Sequence, residues 1–127
     1  MSAEGLLEVA FVTWGNVATL LALLITIISG YMVVAYTAGA SLTRQQVILI
    51  NLIYLLMGGF VGWGCREMTI RAALFEDVAY KMATGEIGAM ASRGEVAFGI
   101  ISAFGLAMIA SLKFMWDIRH PRAERPL

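Results

Sequence analysis

The chain has 127 residues, of which 60% are hydrophobic and only 14% are charged, and its formal net charge is zero. Soluble domains carry about 25% charged residues, clearly more than this chain. Together with a mean hydropathy of +0.80, the low charged fraction indicates a membrane protein. The neutral balance gives no electrostatic case for binding nucleic acid, and the length leaves no room for a separate soluble catalytic domain.

The first element is an apolar run at residues 9–36. It exceeds the roughly 20 residues that a membrane-spanning helix needs. Trp14 and Tyr36 lie near its ends, about 33 Å apart in a helix, which suits aromatic anchors at two membrane surfaces. No Lys or Arg precedes the run, and Glu4 and Glu8 flank it instead. The run is therefore predicted to stay in the mature protein rather than to act as a signal peptide.

A short connection of small residues leads to a second apolar run, at residues 46–63. Thr43 is predicted to cap this helix, with the Gln46 side chain reaching back to the Thr43 backbone. Because the connection is short, the first two spans are predicted to form an antiparallel hairpin.

Residues 66–82 carry charges that exclude a fourth span, yet their apolar residues recur on one helical face: Met68, Ala72, Phe75, Ala79 and Met82. We predict an amphipathic helix here, which lies on the membrane surface or continues from the second span. Two acid-before-base pairs at a spacing of four are expected to support it: Glu67 with Arg71, and Asp77 with Lys81.

The third apolar run occupies residues 96–116. Ser92 is predicted to cap this helix, with Glu95 in its first turn, where a negative charge meets the positive end of the helix dipole. Residues 117–127 form a polar tail. The sequence thus predicts a single all-α membrane domain over residues 1–127, built from an antiparallel hairpin, an amphipathic surface helix and a third span.

Two amides lie within the predicted spans. Asn51 is level with residues 29–30 of the first span and with residues 107–111 of the third. An amide in lipid needs a partner, so an interhelical hydrogen bond is expected, with the lining of an oligomeric pore as the alternative. Asn16 lies near the opposite surface, so the two amides are not expected to pair.

Small residues suggest helix-packing faces on the second and third spans. Gly58 and Gly62 form a Gly-x-x-x-Gly pair, which lets helix backbones approach closely. The third span has small residues at every fourth position: Gly99, Ala103, Ala107 and Ser111. The glycine pair is expected at the depth of Gly99 and Ser102. Packing within one molecule and contact between protomers both fit this pattern.

The sequence predicts no catalytic, cofactor-binding or metal-binding residues. Cys65 is the only cysteine and His120 the only histidine, which excludes an internal disulfide and a metal site built from several cysteines or histidines of one chain. No ionisable side chain lies deep within a span, whereas such charges usually mark ion paths and substrate sites. A membrane enzyme or transporter is therefore disfavoured, and no small-molecule substrate is identified.

The leading hypothesis is a non-enzymatic membrane protein that works by helix packing, as a self-assembling scaffold or as an accessory subunit of a membrane complex. Its expected partners are the lipid bilayer and further copies of itself or another membrane protein. The residues assigned to packing and assembly are Gly58, Gly62, Gly99, Ala103, Ala107, Asn51 and Asn16. The basic tail favours an outside N-terminus and a cytoplasmic C-terminus, in a membrane predicted to be the bacterial inner membrane.

The alternative hypothesis is an oligomeric pore. A partial polar stripe on the first span supports it: Asn16, Thr19, Thr26 and Ser29. Three spans with an outside N-terminus and a charged tail resemble the architecture of one class of phage holins. This resemblance covers topology only, and it implies a pore-forming activity.

Overall fold

The computed structural model describes residues 2–85 and 90–121, with the backbone alone for residues 90–94 and 96. Over these residues the chain forms three α-helices and no strand: α1 Ala3–Ala38, α2 Arg44–Thr84 and α3 Met90–Arg119. All three helices are long and apolar enough to cross a membrane. The predicted all-helical class, with three helices of spanning length, is confirmed.

The predicted helix start at Thr43 is confirmed. The Thr43 hydroxyl accepts the Gln46 N–H at 3.3 Å, and the Gln46 side chain accepts the Thr43 N–H at 2.9 Å. This reciprocal pair satisfies two N–H groups that the first helical turn leaves without partners. The predicted cap at Ser92 is wrong, because α3 already begins at Met90 and Ser92 therefore lies inside the helix.

The α2 helix continues without interruption for 41 residues, about 60 Å. The amphipathic segment at residues 66–82 is therefore a continuation of the second apolar run, which was one of the two predicted alternatives, and not a separate surface helix. The helix ends where Gly85 adopts a left-handed conformation with φ of 74°, a conformation that glycine adopts without steric cost. Gly88 lies outside the described residues.

The predicted charge pairs on α2 do not form. Arg66 instead donates to the neighbouring Glu67 at 2.7 Å, and both side chains are partly exposed. Asp77 and Lys81 make no ion pair within the described part of the chain. Isolated exposed pairs contribute little, so the long helix is held mainly by its packing on α1.

Helices α1 and α2 pack against each other as a long antiparallel pair. The buried residues of α1 are separated mainly by three, four or seven positions: Ala10, Thr13, Val17, Leu24, Tyr31 and Ala35. Facing them, α2 buries residues at similar spacings: Tyr54, Gly58, Cys65, Thr69, Ala72, Ala73 and Ala79. This is the spacing of a coiled-coil contact. At the far end of the pair, the Trp14 indole N–H donates to the Glu76 carboxylate at 3.1 Å.

Helix α3 packs on both long helices with its C-terminal end at the α1–α2 connection. There the Arg119 guanidinium donates to the carbonyl of Gly39 at 3.0 Å and to the carbonyl of Leu42 at 2.6 Å. The side chain of Met115 is buried beside this connection. The end of α1, the start of α2 and the end of α3 therefore lie together, as three successive antiparallel helices require.

Candidate helix-association surfaces

A polar and aromatic cluster joins the three helices in the core. The Tyr31 hydroxyl on α1 donates to Oδ1 of Asn51 on α2 at 2.6 Å. The rings of Tyr31 and Tyr54 stack with centroids 4.0 Å apart. The Tyr54 hydroxyl in turn shares a hydrogen bond of 2.7 Å with the Ser111 hydroxyl on α3. Each helix thus contributes to one continuous chain of contacts.

The expected interhelical hydrogen bond of Asn51 is confirmed. Its partner is Tyr31 on α1, one residue beyond the predicted level of residues 29–30. The contact with α3 is made by Tyr54 through Ser111, so the amide itself bonds to α1. Asn16 is exposed on α1, fifteen residues from Tyr31, and the two amides are separate as predicted. Asn51 therefore stabilises the fold of one molecule, whereas Asn16 lies on its outside.

The glycine pair of α2 is divided between two environments. A side chain at Gly58 would meet Met108 of α3, with its Cβ 2.8 Å from the sulfur atom. At Gly62 a Cβ would meet nothing within 4 Å. Gly58 thus serves close packing within the molecule, while Gly62 leaves open space.

The predicted depth of the glycine pair is wrong. Gly58 contacts Met108 rather than the region of Gly99 and Ser102, a difference of six or more residues along α3. The true alignment is set by Arg119, which holds the last turn of α3 against the connection.

The four small residues of α3 do not form a single face. A spacing of four advances about 400° around a helix with 3.6 residues per turn, so each step drifts by about 40°. Gly99 and Ala103 are accordingly exposed, Ala107 is half-buried and Ser111 is buried. Gly99 and Ala103 therefore remain available for contacts outside the molecule.

A second exposed surface covers the side of α1 that faces away from α2, and it includes Thr19, Thr26 and Ser29 of the polar stripe noted in the sequence. We call it the outer stripe, and its members are all exposed: Gly15, Thr19, Ala22, Thr26, Ser29, Gly30, Val33 and Thr37. They are mostly small or hydroxyl-bearing, and their spacing of mainly three and four keeps them on one face over about 33 Å. Thr26, for example, follows the buried Leu24 by two residues, about 200° around the helix.

The threonine hydroxyl groups of the outer stripe are bonded within α1. Thr19 donates to the Gly15 carbonyl at 3.1 Å, and Thr26 donates to the Ala22 carbonyl at 2.8 Å. A Cβ added at Gly15 or Gly30 would meet nothing within 4 Å. The stripe is therefore a shallow surface that another helix backbone can approach closely. The spacing of its small residues was visible in the sequence, but only the structure shows that they face outward.

An apolar groove separates α2 from the middle of α3. Its volume is about 250 Å³, and it is lined chiefly by Leu24, Gly62, Cys65, Phe104 and Met108. Trp63 and Arg66 lie at its end farthest from the α1–α2 connection. In the described residues, no three side chains among His, Cys, Asp and Glu come close enough together to hold a metal ion.

Comparison with known proteins gives no match: no family model, curated protein or solved structure is similar to this chain.

Proposed function

We propose that this chain is an integral membrane protein that crosses the bilayer three times. Its helices carry large apolar side chains on their outer surfaces, such as Phe60, which is 82% exposed, and Phe98, which is 74% exposed. Contiguous apolar surface of this kind is unfavourable in water and favourable in lipid. Each of the three antiparallel helices is also long enough to cross a hydrocarbon core about 30 Å thick.

The proposed membrane is the bacterial inner membrane, with the N-terminus outside and the C-terminus in the cytoplasm. The α1–α2 connection and the end of α3 then lie on the cytoplasmic side with Arg44, Lys113 and Arg119, as positively charged cytoplasmic loops favour. A fluorescent protein fused to the C-terminus should be bright in this orientation. A dark fusion, together with activity of a periplasmic reporter at the same position, would show that the orientation is the opposite one.

The proposed activity is non-catalytic association with other membrane helices, as a self-assembling scaffold or as an accessory subunit. The observation that carries this proposal is the outer stripe. Between helices in lipid, association depends on close packing rather than on hydrophobicity, and small residues permit it. A surface that served only to contact lipid would need no such small residues along its whole length, whereas an association face gains from each of them.

A pair of cysteine substitutions tests the outer stripe. Thr26→Cys lies on the stripe, and Ile25→Cys lies at the same depth but about 100° away, where it is also exposed. If copies associate through the stripe, oxidation in native membranes should link Thr26→Cys into a dimer of about twice 13.8 kDa and leave Ile25→Cys largely monomeric. The wild-type chain serves as background, since its Cys65 is buried. Equal linking at both positions would mean random collision and would contradict the proposed face.

An oligomeric pore is the second candidate, because Asn16, Thr19, Thr26 and Ser29 are all exposed on α1. Against it, the hydroxyl hydrogens of Thr19 and Thr26 bond to the α1 backbone, which leaves only acceptor oxygens for water or ions. Membrane potential after induced expression separates the two functions. A scaffold or subunit should leave the potential unchanged, whereas a pore should collapse it.

A further inference from the structure

The groove between α2 and α3 is apolar at its inner end and charged at its outer end. At the inner end, Met108 packs over Gly58 and closes the space between the helices. Farther along α2, a Cβ added at Gly62 would meet nothing within 4 Å. No side chain fills the groove at this position, and it is open there. Its floor is apolar, formed by Leu24 and Cys65, both almost completely buried.

At its outer end the groove is lined by an arginine, whose acidic partner is the next residue of α2 and is not itself part of the lining. Arg66 lines the groove and bonds to Glu67 at 2.7 Å, with 47% of the arginine side chain and 37% of the glutamate side chain exposed. The guanidinium also lies 5.6 Å from the centre of the Trp63 ring, which is itself 66% exposed. In the proposed membrane protein, tryptophan and the first arginine after a span mark the level of the lipid headgroups.

We infer that this groove binds a phospholipid with a primary-amine headgroup, such as phosphatidylethanolamine. One acyl chain lies along Gly62 towards Met108, the phosphate accepts hydrogen bonds from Arg66, and the ammonium group donates to Glu67. This inference rests on the membrane location proposed above.

The charges at the outer end select among lipid classes. A guanidinium has five N–H donors, and the structure uses one nitrogen of Arg66 for Glu67, so donors remain for a phosphate. The phosphate of an anionic lipid would add a second negative charge beside that of Glu67, and such a lipid has no ammonium group to compensate it. A choline headgroup has no N–H to donate to the carboxylate. An ethanolamine headgroup matches both charges of the pair.

Native mass spectrometry of the chain, released from nanodiscs that contain equal amounts of phosphatidylethanolamine, phosphatidylglycerol and phosphatidylcholine, tests the inference. The wild-type chain should retain phosphatidylethanolamine in preference to the other two. Gly62→Leu, which fills the groove, should abolish this retention, and Arg66→Gln should lower the apparent affinity about tenfold, as the loss of a hydrogen bond to a charged group implies. Ala110→Leu is the matched control, because this small residue of α3 is exposed but does not line the groove.

Equal retention of the three lipids by the wild-type chain, or unchanged retention by Gly62→Leu, would overturn the lipid site. The same spectra report the oligomeric state of the wild-type chain separately from its lipid retention. A monomer that still retains phosphatidylethanolamine selectively would support the lipid site and count only against association. A chain recovered from the soluble fraction without any lipid would overturn both proposals.

Discussion

Replacement of Arg119 by methionine is expected to lower the free energy of unfolding by about 2–3 kcal/mol. Methionine keeps the apolar stem but removes both hydrogen bonds from the guanidinium to the connection between α1 and α2. Hydrogen bonds that involve a charged group contribute about 1.5–3 kcal/mol each, and partial access of water at this end reduces their sum. The carbonyl of Gly39, at the C-terminal end of α1, would also lose its partner.

Reversible unfolding in mixed micelles of a mild detergent and sodium dodecyl sulfate measures this effect. Lys113→Met is the matched control, because Lys113 is exposed on the same helix and its replacement should change stability by less than about 0.5 kcal/mol. Equal effects at the two positions would mean that Arg119 does not hold α3 in place.

Replacement of Asn51 by leucine is expected to destabilise the chain by about 1–2 kcal/mol. The Tyr31 hydroxyl would then lie between helices without its acceptor, and such a group costs about 1–3 kcal/mol when buried, although the average in membrane proteins is smaller. Tyr31→Phe removes the same hydrogen bond from the other side and leaves the stacking on Tyr54 in place.

A double-mutant cycle separates the hydrogen bond from general packing. Because Tyr31→Phe with Asn51→Leu leaves no unpaired group, the double variant should be more stable than the sum of the single effects implies. Strict additivity of the two substitutions in the same unfolding experiment would show that the side chains are not coupled.

Local signals in the sequence predicted local features of the fold. The capping box depends only on Thr43 and Gln46, three residues apart, and it forms as expected. The partner of Asn51 could be approached by counting residues from the short connection, because a tight hairpin fixes the register of its first turns. The depth predicted for Gly58 was wrong, because its position against α3 depends on a contact between Arg119 and the distant connection.

The division of small residues between inside and outside could not be predicted from spacing alone. Gly58 and Gly62 look equivalent in the sequence, yet only Gly58 lies against Met108. The difference arises because Met108 of α3 fills the space beside Gly58, whereas the groove beside Gly62 is left open. The sequence likewise left open whether α2 continues past Arg66. A charged residue there ends the apolar span, but it does not end the helix, which continues to Thr84.

Native mass spectrometry of the tagged chain, extracted gently from its own membrane, tests most directly whether the protein works by association. If the protein works by association, the spectra should show either an oligomer of two or more copies, each of 13.8 kDa, or a complex that contains other membrane proteins in a fixed ratio. The first result would identify a self-assembling scaffold and the second an accessory subunit. A lone monomer under the mildest extraction conditions would contradict the account.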